Sequence, residues 1–133
     1  HKDNYGNRYG PLTVAENKLC LPNGMALRYH NLRYGNSGLI YEARGKTEYT
    51  YGGRVTENVI QALARIVITD SMLRLDKEHD VALTVHDEII ITGTNINPNA
   101  TMDKIITDMC IPPSWASDIP LDAEGGYARE YSK

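Results

Sequence analysis

Apolar and polar positions change rhythm several times along this chain, and each change predicts an element. Lys18-Leu19-Cys20-Leu21 and Ala26-Leu27-Arg28-Tyr29-His30 flank Pro22-Asn23-Gly24. Asn-Gly between two short apolar runs predicts a hairpin. Leu39-Ile40-Tyr41-Glu42-Ala43 predicts a third strand, whereas residues 1–17 and 44–54 are Gly-rich or polar and read as loops. The rhythm then turns helical over residues 56–77. Val59, Ile60, Leu63, Ala64, Val67, Ile68, Ser71 and Leu75 share one face at a 3.6-residue period. Thr56 is placed to cap this helix and Glu57 to sit in its first turn.

Val81-Ala82-Leu83-Thr84-Val85 and Ile89-Ile90-Ile91 predict two further strands, with His86-Asp87-Glu88 between them. Pro98 to Cys110 predicts a second helix with Met102, Ile105, Ile106 and Met109 as its apolar set, capped by Asn97 or Asn99 and stopped by Pro112-Pro113. Ile119 to Glu124 predicts a last strand. The order is β-β-β-α-β-β-α-β, an α+β fold in which an antiparallel sheet carries helices packed on one face.

At 133 residues the chain is one domain or part of one. No apolar run approaches the ~20 residues of a membrane span, and the start, His1-Lys2-Asp3-Asn4-Tyr5-Gly6, has no apolar signal region. Cys20 and Cys110 have no metal-ligand spacing and read as ordinary thiols of a cytoplasmic protein, with a single disulfide as the alternative.

Charge divides the chain. Residues 1–54 hold eight Lys/Arg against four Asp/Glu, a balance of +4, and seven of the nine tyrosines. Residues 55–133 hold six Lys/Arg against thirteen Asp/Glu, a balance of −7. A basic, tyrosine-rich part suits phosphates and bases, and an acidic part suits divalent cations. Ordinary surface charge and half-buried sheet tyrosines are the plainer reading of the same counts.

Two features carry candidate chemistry. His86-Asp87-Glu88 puts adjacent carboxylates into an apolar run, where an unpaired buried charge is costly; at a hairpin turn facing a cation that cost disappears. On the long helix, Asn58, Gln61, Arg65 and Thr69 line the face opposite the apolar one. That stripe is rich in hydrogen-bond donors and carries one charge, which suits a polar partner better than bulk water. A small metal phosphohydrolase built on His86, Asp87 and Glu88 is a weak alternative, because three consecutive residues seldom converge on one ion and no spacing ties His1, His30 or His79 to them.

Four segments, in order, resemble the bacteriophage branch of the family A DNA polymerases. Leu21-Pro22-Asn23-Gly24 with Leu27-Arg28-Tyr29 is similar to the family's L-P-S-G-x-x-L-x-Y segment. Tyr51-Gly52-Gly53-Arg54-Val55-Thr56-Glu57-Asn58 through Gln61-Ala62-Leu63-Ala64-Arg65 resembles its Y-G-G-K-x-x-E-N-x-x-Q-A-x-A-R helix. Val85-His86-Asp87-Glu88 resembles motif C, and Trp115-Ala116 through Leu121-Asp122-Ala123-Glu124-Gly125 resembles the W-A-x-x-L-P-L-x-A-E-G ending.

The resemblance implies the C-terminal part of a polymerase palm. Residues 1–54 would form a strand and loop region from the fingers–palm junction, and residues 55–133 the palm core with the motif C hairpin. It implies that Asp87 binds catalytic Mg²⁺, with Glu88 near the metals and His86 beside the primer 3′ end. It implies that Glu57, Asn58, Gln61 and Arg65 face the minor groove of the primer–template. In the whole parent the partners would be primer–template DNA and a dNTP, in the cytoplasm of an infected bacterial cell and away from any membrane. The D-Y-S-x-x-E motif that carries the second metal-binding aspartate is absent from this sequence, as is the fingers helix that grips the nucleotide. Alone, the chain is therefore expected not to polymerise, and exposed sheet edges leave self-association open to it. A non-catalytic DNA-binding module, using the helix stripe and the basic part, is the alternative.

Overall fold

A computed structural model describes residues 5–94 and 97–131; the polar start, His1 to Asn4, lies outside the described residues. Among the described residues the structure is mixed α and β with antiparallel pairing throughout, but the strands are more numerous than expected and form three separate sheets in place of one. The chain divides into two compact units, residues 1–64 and 65–133, with the break inside the long helix.

In the first unit, β1 (Arg8–Tyr9), β2 (Leu12–Ala15), β3 (Lys18–Cys20) and β4 (Ala26–Arg28) form a four-stranded meander. The Pro-Asn-Gly hairpin forms as expected: Cys20 faces Ala26, and Gly24 takes a left-handed φ of +84°. The strands β1 and β2 stand where a loop was expected. Tight turns at Gly10-Pro11 and Glu16-Asn17 make them possible, with Gly10 and Asn17 at positive φ.

A second meander joins β5 (His30–Gly35), β6 (Gly38–Ala43) and β7 (Lys46–Thr50). Only β6 was legible as a strand. Its neighbours are mostly polar and exposed, and the pairing supplies what their composition does not. The β6–β7 loop is the two-residue turn Arg44-Gly45, with both residues left-handed at +51° and +74°. That is the mirror-image turn whose twist matches a hairpin. The unit's core gathers Leu21, Tyr29, Thr50 and Val59, with the Tyr29 and Tyr41 rings edge to face at 5.3 Å.

Helix α1 runs from Gly52 to Leu75, a full turn earlier than the sequence predicts. Thr56 therefore does not cap it: its hydroxyl donates back to the Gly52 carbonyl at 3.0 Å, inside the helix. Glu57 likewise falls beyond the first turn. The side chain of Arg54 donates to the Tyr49 carbonyl, tying the new start to the end of β7. The buried line of α1 is also rotated from the expected one. Ile66 is buried, at 4% exposure, while Ile60 stands out at 61%.

In the second unit, β8 (Asp80–Val85) and β9 (Glu88–Thr92) form a two-stranded hairpin. A bulge at Ala82 shifts the register by one residue, so that Leu83 faces Ile90. Helix α2 (Pro98–Met109) matches its predicted span; Asn97 is the cap, accepting from the Ala100 amide. A short 3₁₀ turn, Ser114–Ala116, follows Pro112-Pro113. No strand forms over residues 119–124, contrary to expectation. That stretch has no ladder partner among the described residues and instead leads to Gly125, which packs against the Met102 side chain so closely that a Cβ there would displace the methionine. Ile66, Ser71, Leu75 and Ile105 form the unit's core. Among the described residues no helix is long and apolar enough to cross a membrane.

Candidate functional site

The β8–β9 hairpin presents its chemistry by construction. Val85 pairs with Glu88, so His86 and Asp87 are the two tip residues and Glu88 opens the returning strand. His86 takes a left-handed φ of +55°. For a residue other than glycine that conformation costs about 1–2 kcal/mol, so the surrounding structure must hold it. All three side chains are exposed. The carboxylates thus avoid the desolvation cost that a straight buried strand would impose.

Arg65 supplies part of what holds the tip. From α1 its guanidinium donates to the His86 carbonyl and to the Thr84 hydroxyl, both at 3.2 Å. One planar cation thus spans the last residues of β8 and the strained tip. Behind it, the Thr69 hydroxyl donates to the Arg65 carbonyl at 2.7 Å, one helical turn on. Thr84 was not a candidate from sequence; its role depends on a contact 19 residues away in the chain that no local pattern encodes. The same holds for Tyr131, whose hydroxyl donates to Glu88 Oε2 at 3.4 Å.

The other stripe residues belong to the first unit. Gln61 donates to Glu57 Oε1 at 3.3 Å, one turn apart, and both are exposed. Asn58 is half-buried, and its side-chain amide donates to the Tyr29 hydroxyl at 3.1 Å. One of its two donors is therefore used inside the unit.

The donor chemistry at the tip suits a hard cation: Asp87 and its neighbour Glu88 offer carboxylate oxygens, the ligands that Mg²⁺ prefers. They are not a complete cage. Among the described residues no group of three or more His, Cys, Asp or Glu side chains is gathered to hold a metal ion. His86, Asp87 and Glu88 therefore do not converge as the phosphohydrolase alternative requires.

A DNA polymerase of Bacillus phage SP02 is 35% identical to this chain over 130 residues, which take in 85% of the chain and 19% of the relative. The chain thus spans about a fifth of the length of the curated relative it matches. No family model matches it, and no solved structure matches it. By sequence, then, it is similar to a segment of a phage DNA polymerase.

Proposed function

We propose that this chain is the motif C portion of the palm of a family A-type DNA polymerase, whose parent extends a primer 3′ end on a DNA template. The observation that carries the reading is the joining of two separately matched motifs. Arg65, from the Q-A-x-A-R helix, is hydrogen-bonded to the backbone of His86, in the motif C tip. The similarity to the phage enzyme supports the same reading.

In this reading the 3′-oxygen of the primer bonds to the α-phosphorus of the nucleotide as the bond to the leaving pyrophosphate breaks. Such chemistry is mostly positioning and charge neutralisation. Asp87 would hold Mg²⁺ together with a second aspartate from another part of the parent, and Glu88 would lie alongside. When bound, the metal supplies positive charge against the attacking and leaving oxygens. The short hairpin fixes the backbone position of Asp87 at its tip. Arg65 fixes the backbone that bears it, and His86 lies adjacent to the primer terminus. Glu57, Asn58 and Gln61 would face the minor groove of the duplex, where the second Asn58 amide hydrogen remains for DNA.

The test is a chimera in which this chain replaces the matching fifth of the SP02 polymerase, assayed by primer extension with Mg²⁺. Template-dependent extension that Asp87→Asn abolishes, with primer–template binding retained, is expected. The isolated chain should be inert. A chimera that binds primer–template yet extends equally well with Asp87→Asn would sink the reading, as would Asp87-dependent extension by the isolated chain.

A further inference from the structure

We propose a second nucleic-acid contact, on the β5-β6-β7 meander of the first unit, that binds single-stranded nucleic acid by one phosphate and an adjacent base. It stands independently of the Asp87 site. The end of the meander at the Arg44-Gly45 turn is concave, a cleft of about 530 Å³ lined by His30, Glu42, Arg44, Lys46 and Thr47 among others. Its charge is set by which groups are already engaged. Glu42 accepts on Oε1 from Asn31 at 2.6 Å and from Arg33 at 3.3 Å, so its charge is offset by the Arg33 guanidinium of its own strand pair. Arg44 and Lys46 have no hydrogen-bond or ion-pair partner among the described residues. Two unpaired cations and an imidazole around one hollow suit a phosphodiester.

The turn itself adds a second observation. Both of its residues are left-handed, positions where Asn, Asp and Gly are favoured. Arginine at the first of them is a strained choice for the backbone, and an outlier of this kind points to a demand other than folding.

The neighbouring surface is aromatic. The register aligns His30, Glu42 and Thr47 across the meander, and Arg33, Ile40 and Tyr49 next to them on the same face. Tyr49 lies two residues from Thr47 along β7, about 7 Å at strand rise. Its ring covers Gly38, where a Cβ would clash with it, and tilts against Tyr51 at 6.3 Å. Both rings remain about half exposed, at 46% and 53%. A phosphate in the cleft places the next base over these rings, and stacking of that kind needs an unpaired base.

Fluorescence anisotropy of a dye-labelled oligothymidine with the full chain at low salt tests the proposal, with a hairpin duplex as competitor. Arg44→Asn combined with Lys46→Gln should weaken binding about tenfold and make the log–log salt slope shallower by about 0.7, the share of one single-strand phosphate contact. Tyr49→Leu should weaken it about fivefold or more. Arg44→Asn alone should keep or raise the melting temperature, since Asn suits the turn, so a loss of binding is not a loss of fold. Binding should be the same with and without Mg²⁺, which separates this site from the polymerase reading. Undetectable binding by the unaltered chain, unchanged binding by the double variant, or an equal loss for duplex and single strand would each overturn the proposal.

Discussion

The Arg74 guanidinium, near the end of α1, donates to the Asp108 main-chain carbonyl at 2.8 Å, closing the C-terminal end of α2 with a side chain from another helix. The same nitrogen donates to the Ser71 hydroxyl and reaches the Ile111 carbonyl at 3.4 Å. Helix ends leave four carbonyls without intrahelical partners, and α2 has no basic residue of its own in its last turn. Arg74 supplies that charge from outside. Replacing it with Leu should cost about 1.5–3 kcal/mol, the worth of a charged hydrogen bond at a partly buried site. A urea titration followed by circular dichroism would show the midpoint fall; an unchanged midpoint would mean that water serves the carbonyls equally well.

Asn58 and Tyr29 give the second prediction. Tyr29 is 6% exposed, and its hydroxyl receives the Asn58 amide. Asn58→Leu should destabilise the first unit by about 1–2 kcal/mol through the stranded hydroxyl. Tyr29→Phe in the same background should recover part of that loss. Additive effects of the two changes would mean that the bond contributes nothing measurable.

The tip conformation predicts an order of tolerance at residue 86. His86→Asn should fold at least as well as the parent sequence, because Asn accepts a left-handed φ. His86→Val should destabilise the hairpin by about 1–2 kcal/mol, because a β-branched side chain there meets the following carbonyl. Amide exchange of the β8–β9 ladder measures this directly. Equal protection in both variants would show that the tip relaxes without cost.

Glu78 and Lys104 form an exposed ion pair. The hydrogen bond and charge of Lys104 lower the Glu78 carboxyl below its ordinary value, and Glu78 raises the Lys104 ammonium above its own. The carboxyl's contribution to stability is present above its unfolded-state value and fades as pH falls through the lowered one. The ammonium's is complete below its ordinary value and fades as pH rises through the raised one. Because both groups meet solvent, the effect on stability should be slight and weaken with salt. NMR titration should find the Glu78 midpoint low, returning toward normal in Lys104→Met; a midpoint indifferent to Lys104 would refute the pairing.

What local pattern encodes was legible, and what distant pairing encodes was not. Pro22-Asn23-Gly24 announced its hairpin, Asn97-Pro98 announced the start of α2, and the interruption of an apolar run at His86-Asp87-Glu88 announced a turn. In contrast, β5 and β7 are polar strands whose evidence lies in the strand between them. The first turn of α1 carries Gly52-Gly53, poor helix formers at about 1 kcal/mol each, and the contact at this start, Arg54 reaching back to the Tyr49 carbonyl, leaves no local pattern. The expected strand over 119–124 has suitable residues but pairs with none of the described strands. At the candidate site the tip was readable; the Arg65 bridge to it was not, because hydrogen bonding between a helix and a turn 21 residues later leaves no periodic trace.

The two-residue tip between Val85 and Glu88 also constrains how such a sequence can drift or be diversified. Substitutions there that suit the turn change chemistry while the ladder stays in place. A single insertion or deletion either changes the loop length or, where the register slips by one, exchanges the sides on which Ile89, Ile90 and Ile91 project. Spacing at this point is therefore under tighter constraint than identity. A randomised library across residues 84–89 would recover length-preserving members far more often than shifted ones, even under selection for folding alone.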